Sequence, residues 1–341
     1  MMRQTQPIIR RAHAFRCKKD LRKYYILFAI FLVLSILAAA GLILYNNPVP
    51  IDSPSFKPVL KRRMVAVVAM AIVSLCQSFA TISFQTATNN RLITPSLMGF
   101  EAMYSAIHTS IIFFLGAKAL DNFKGPWAFY LQIMLMMLLS TGLYSWLLNS
   151  KRKNVDLLLL VGVIFGAGLR SVASFMRRLL SPSEFDVLQA RLFGSVNNAD
   201  SSYFPIAIPL VLAVVIVLML NAKRLNILSL GKDCCTNLGI DYSKQTKIIL
   251  ALSSILVSIS TALVGPITFL GFLVSTIIYQ LIKTYDHRFI LPIAACLSFL
   301  ILAGSYFLMY HVFNAQGVVS IIIELFGGIA FLMLLFRKGN L

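Results

Sequence analysis

The sequence predicts an all-α, polytopic membrane protein with ten transmembrane helices, and three observations predict it. The 341 residues are 58% apolar and 13% charged, with a mean hydropathy of +0.82, a balance that suits lipid better than water. Ten apolar runs approach or meet the ~20 residues that a helix needs to cross a ~30 Å hydrocarbon core. Lys and Arg also collect in alternate connections between those runs.

Residues 1–23 hold eight Lys/Arg and one Asp, a basic cytoplasmic segment ahead of a transmembrane domain over 24–341. The first run, Tyr24 to Tyr45, has 22 residues. That is longer than a signal-peptide core, and no clean small-residue cleavage site follows, so a retained helix is expected. Met64 to Phe84, Leu97 to Leu115, Trp127 to Leu148, Val155 to Met176 and Tyr203 to Leu220 supply the next five runs. Thr246 to Val264, Ile267 to Ile282, Phe289 to Tyr310 and Gly317 to Phe336 supply the rest. The seventh and eighth meet at Gly265-Pro266, and charge decides between a reversal and a kink there. With a cytoplasmic N-terminus, ten spans place 21 Lys/Arg inside and nine outside, whereas merging the pair gives 17 against 13. The positive-inside rule therefore favours ten spans, with both termini cytoplasmic. The net charge of +19 is accounted for by these flanks and by anionic lipid, without nucleic acid.

Two connections have their own signatures. On the outer side, Ser181-Pro182-Ser183-Glu184 offers an N-cap, a first-turn proline and a capping-box glutamate, and Gly194 offers a stop. A short helix over 182–193 follows, with Phe185, Leu188 and Leu192 on one face, resting on the membrane surface or over a pore mouth. On the inner side, 225–247 reads as two short helices broken near Gly231 and Gly239, whose apolar residues need a protein or lipid surface, a cytoplasmic partner being the sharper reading.

The polar stretch Gln85 to Phe100, between the second and third runs, speaks most directly to function. Gln85, Asn89, Asn90 and Thr94 supply amide and hydroxyl groups that lipid-facing backbone excludes, so the stretch lies at an interface or lines a wetted cavity. Transport is the class this implies. Glu101, Arg170 and Glu324 fall inside spans, where a charge costs about 2.5–3.5 kcal/mol on insertion scales, so each lines a path or pairs between helices. Gly162 and Gly166 have the spacing of close helix packing, with Gly168 nearby. Met134, Met136 and Met137 read as ordinary contacts, and His108 and His311 as polar interface residues rather than iron ligands. Five cysteines show no disulfide or zinc spacing and should be reduced thiols. No GxxxxGK[ST] phosphate loop occurs, since Gly231-Lys232-Asp233 lacks the glycine spacing and the hydroxyl, and no HExxH helix occurs.

From Arg62 onward the chain resembles the FecCD-type permeases of ATP-binding-cassette importers for iron chelates and cobalamin. The resemblance rests on Gln85 to Gly99, Leu157 to Gly162, Leu225 to Gly231 with Leu238-Gly239, Gly265 to Gly271, and Asp286-His287-Arg288. Thr88 to Arg91, Thr94 to Phe100 and Ile323 to Gly328 resemble the branch for ferric catecholate and petrobactin-like siderophores. Ser275-Thr276 replaces that family's usual Pro-His, Lys232 its usual acidic residue, and Ile329 a frequent proline. The resemblance implies a type II importer fold that binds no cofactor of its own. A second permease chain, two cytoplasmic ATPases holding ATP and magnesium, and an extracytoplasmic binding protein would complete it, with ferric siderophore as substrate. It further implies that Leu228, Leu230, Gly231, Cys235, Leu238 and Gly239 meet the ATPase, and that Arg62 and Arg63 of the Lys61-Arg62-Arg63 cluster dock the binding protein. Asn154 and Asp156 match its inner gate approximately. The competing classes are an ion-gradient-driven secondary transporter, which paired intramembrane carboxylates would favour, and an intramembrane enzyme.

Overall fold

The computed structural model describes residues 14, 15, 17–45, 50, 52–118, 125–149, 155–313 and 318–338. Apart from short 3₁₀ turns and an antiparallel bridge between Phe15 and Thr284, its regular structure is α-helical. The helices are α1 Lys18–Leu44, α2 Phe56–Ala87, α3 Phe100–Leu115, α4 Pro126–Asn149, α5 Val155–Arg178, α6 Pro182–Leu192 and α7 Phe204–Leu220. They continue as α8 Ala222–Leu228, α9 Lys232–Asn237, α10 Tyr242–Val264, α11 Leu270–Leu281, α12 His287–His311 and α13 Val319–Lys338. Every apolar run falls on a helix. Among the described residues six helices are long and apolar enough to cross a membrane, and four shorter apolar helices accompany them.

Burial separates a hub from a periphery. In α2, α10 and α12 between 56% and 67% of the apolar window is buried, against 11% to 22% in α1, α5 and α7. The seam between α2 and α10 explains how the hub closes. Ser74, Gln77, Ser78 and Thr81 of α2 and Ser253, Ser254, Ser258 and Ser260 of α10 are all buried. Small side chains let two backbones approach in lipid, and the Gln77 amide donates to Ser260 Oγ across the seam at 3.1 Å. The peripheral helices instead turn leucine, valine and phenylalanine outward, a surface suited to lipid or another apolar chain.

Contacts between helix ends establish direction. Helices α1 and α12 run parallel, from the Tyr24 hydroxyl donating to Phe289 O at 3.2 Å to the Tyr45 and His311 rings 5.0 Å apart. Helix α10 starts where the Tyr242 hydroxyl donates to Ala87 O, at the end of α2. It stops at Gly265, whose φ of +85° suits glycine. Helix α11 then returns to the starting end, where Thr284 Oγ1 donates to Ala14 O at 2.6 Å. Gly265-Pro266 therefore reverses the chain. Gly271 abuts Thr81 and Gln77, so α11 begins partway along α2 rather than level with its end.

Several boundaries differ from the sequence reading. Helix α1 begins at Lys18, inside the basic segment, and α2 begins at Phe56, so Lys61-Arg62-Arg63 lies within a helix. The polar stretch likewise starts inside α2, which continues to Ala87 before Asn89 takes φ +50°. Helix α6 forms as its capping chemistry dictates, with Glu184 Oε2 accepting from Ser181 N at 3.1 Å. Its Leu188 packs on Ile112 of α3, while Phe185 of the expected face stays exposed. The helix thus rests on α3 with a narrower face than its sequence suggested.

Candidate translocation path

Two polar assemblies interrupt the apolar bundle. The first lies at the end carrying the basic N-terminal segment, in a cavity of about 600 Å³. Gln85, Asn89, Asn90 and Arg91 line it from the polar stretch, and Tyr279 and His287 from α11 and α12. The stretch leaves the helix here because its own side chains satisfy the backbone. Gln85 Nε2 donates to Arg91 O at 2.8 Å, and Asn90 Oδ1 accepts from Leu92 N at 2.9 Å. The Arg91 guanidinium then sits 4.6 Å above the Tyr279 ring. No carboxylate is among the described lining residues.

Beside the cavity, α8 and α9 form the expected two-helix connection. Gly231 and Gly239 make its turns at φ +91° and +76°. The six residues expected to meet an ATPase divide by burial. Leu228 and Cys235 are buried, and the Cys235 thiol donates to Ile227 O at 3.2 Å. Leu230 and Leu238 are 58% and 59% exposed. Leu228 and Cys235 therefore anchor the connection from within, and the two exposed leucines form its open face. Burial, with neighbouring Cys234 second, pushes the Cys235 thiol pKa up.

The second assembly gathers all three charged span residues. Glu101 opens α3 beside Thr268 and within electrostatic reach of Glu324 and Arg170. Thr268 Oγ1 donates to Glu324 Oε1 at 3.1 Å, while Glu101 Oε1 is buried with no hydrogen-bond partner among the described residues. Glycine packing brings these helices together. A Cβ on Gly166 would lie 2.9 Å from Gly99 Cα, and one on Gly162 would strike the Met98 side chain. Both glycines thus seat the end of the polar stretch against α5.

Other expected site residues lie elsewhere. Thr94 is buried but lines neither assembly. Asn154 is outside the described residues, and Asp156 is described only as part of the first turn of α5. Arg62 is exposed and borders a separate cavity of about 770 Å³ with Arg63. Arg63 has a structural task, since its Nη1 donates to Leu42, Ile43 and Tyr45 carbonyls at 3.3, 3.1 and 2.9 Å. These are the open carbonyls at the C-terminus of α1, where a cation also suits the helix dipole. The rings of His108 and His311 bond the Tyr104 and Phe307 carbonyls, both at 3.1 Å. Tyr279 was not singled out from sequence, and Thr86, Asn226, Thr268 and His287 stood only as members of the recognised motifs.

Comparison with known proteins places this architecture. The model of the FecCD transport family matches residues 24–337. The petrobactin import system permease protein FatC of Bacillus anthracis is 57% identical over 97% of this chain and 94% of its own length. The petrobactin import system permease protein YclO of Bacillus subtilis is 37% identical over 82% of this chain and 89% of its own. A solved chain of an ABC transporter in an inward-facing conformation superposes with a TM-score of 0.74, covering 92% of this chain and 99% of that one, at 19% identity. The last likeness shows the fold, and the first three show descent: the chain belongs to the FecCD transport family.

Proposed function

We propose that this chain is the membrane permease of an ABC importer carrying a ferric siderophore of the petrobactin kind across the cytoplasmic membrane. The 57% identity to FatC over nearly the whole chain carries this reading. The basic end faces the cytoplasm with both termini, ten helices cross the bilayer, and a second permease chain completes the path. Two ATPase subunits dock on the exposed face of α8 and α9, and a binding protein delivers the chelate to the opposite end, meeting Arg62. The chain itself supplies passage rather than hydrolysis.

The cavity supports that division of labour. Its amides, hydroxyls and single arginine can stabilise an anionic chelate without gripping its iron, whose ligands the siderophore already supplies. Weak interaction favours release. Deleting the gene should abolish ferric petrobactin uptake, wild-type protein should restore it, and an ATPase should co-purify with the tagged chain. Normal uptake in the deletion strain, with no other permease able to carry the chelate, would refute the assignment. One observation favours the secondary-transporter reading, namely that Glu101 and Glu324 lie within electrostatic reach of each other as an intramembrane carboxylate pair, with Thr268 donating to Glu324. That reading requires uptake without any ATPase.

A further inference from the structure

We infer that His287 is the positioning residue through which the ATPase-facing connection acts on the polar end of α2, held by Asn226 on one side and Thr86 on the other. The inference rests on the importer reading. The geometry begins with Asn226 of α8, whose amide orientation is fixed by its neighbours. Its Nδ2 donates to Asp286 Oδ1 at 3.0 Å, and its Oδ1 accepts from His287 N at 2.9 Å. The same oxygen lies 2.6 Å from His287 Nδ1, so that nitrogen carries the proton. In the neutral ring Nε2 is then an acceptor, and the Thr86 hydroxyl lies 2.8 Å from it and 2.8 Å from Ile82 O, so its one proton divides between the two acceptors. Thr86 belongs to the last turn of α2 and borders the cavity with Gln85 and Asn89.

Each link is rigid. His287, Asp286 and Thr86 are buried, and Leu225 and Leu228 bury the opposite face of α8. Asp286 also caps α12 by accepting from Arg288 N at 3.1 Å. Gly231 also approaches the polar stretch, since a Cβ added there would lie 3.6 Å from Asn89 Nδ2. Displacing α8 therefore cannot leave His287 and Thr86 where they are without breaking buried hydrogen bonds. The unmade bonds would be costly, because His287 and Thr86 are 3% and 6% exposed. Movement imposed on the exposed leucines thus reaches the point where α2 gives way to the polar stretch, and the fastening converts loop displacement into a change of cavity shape.

The test uses the complete transporter in proteoliposomes with its binding protein, measuring ferric petrobactin accumulated per ATP hydrolysed. Thr86→Val keeps the buried shape but deletes the hydroxyl, Thr86→Ser keeps the hydroxyl, and Asn226→Leu removes the other link. Thr86→Val and Asn226→Leu should assemble with the ATPase and hydrolyse ATP, yet lower transport per ATP roughly three- to tenfold, the range of one net hydrogen bond. Thr86→Ser should restore it. Unchanged transport per ATP in assembled Thr86→Val and Asn226→Leu complexes would overturn the inference. So would loss of assembly in both, which marks a merely structural fastening. ATP-dependent uptake by the wild-type complex in the same vesicles tests the importer reading separately.

Discussion

Two glycines in α5 should respond to alanine with opposite signs. At Gly166 the new methyl would lie 2.9 Å from Gly99 Cα and 3.4 Å from Gly99 N. Carbon atoms normally rest about 3.5–4.0 Å apart, so the backbones must separate by about 0.6–1 Å. Gly99 cannot easily yield, because its φ of +101° forms the turn into α3. Overpacking of this kind costs about 1–3 kcal/mol, against about 0.5–1 kcal/mol gained by replacing a helical glycine. At Gly168 nothing lies within 4 Å, so only the gain applies. The difference between the variants isolates the steric cost. Thermal unfolding of both purified proteins in one detergent should place Gly166→Ala several degrees below Gly168→Ala, at about 2–4 °C per kcal/mol. Equal melting temperatures, or a more stable Gly166→Ala, would refute the close approach of α5 to the polar stretch.

Other perturbations probe separate parts of the account. Cytoplasm-side maleimide should label exposed Cys234 well before Cys235, whose raised pKa keeps it a thiol at neutral pH; Cys235 should gain as pH rises, and fast labelling of both or labelling from outside would contradict this. Arg63→Ala should lower stability by about 1–2 kcal/mol through lost carbonyl contacts while Arg62→Glu weakens binding-protein docking, read by thermal unfolding and a pull-down; a docking defect confined to Arg63 would reverse the assignment. The Ser181 hydroxyl and backbone hold the Glu184 carboxyl below its ordinary pKa, so its support of α6 is complete above the ordinary glutamate range and fades as pH falls through the depressed value. The protection of α6 amides relative to their intrinsic exchange rate at each pH should fall over that acidic window in wild type but not in Glu184→Gln; identical profiles would remove Glu184 from the capping role.

Local chemistry was legible in the sequence, and partnership was not. The apolar runs and the Ser181 to Glu184 cap each depend on neighbours within a few residues, so their physics is written consecutively, whereas the Gly265-Pro266 reversal was read from the charge balance of all the loops. The spacing of Gly162 and Gly166 announced a close approach but could not name Met98 and Gly99 as the surfaces approached. Arg63 read as a docking residue for the binding protein because the carbonyls it bonds lie about twenty positions earlier and meet it only in the folded chain. Glu101, Arg170 and Glu324 were each conspicuous as charges in lipid, yet Thr268, which donates to Glu324, carries no charge and stood only as one member of the Gly265 to Gly271 motif. Asp286-His287-Arg288 stood out as a motif, while its chemistry depends on Asn226 sixty residues earlier and Thr86 two hundred earlier.

ATP-driven import is tested by ferric petrobactin accumulation in proteoliposomes containing the purified permease pair and ATPase, with the binding protein outside. Accumulation should require internal ATP, survive a protonophore, and disappear when the ATPase cannot hydrolyse. Accumulation driven by a proton or sodium gradient without ATP would contradict it and transfer the function to the intramembrane carboxylate pair.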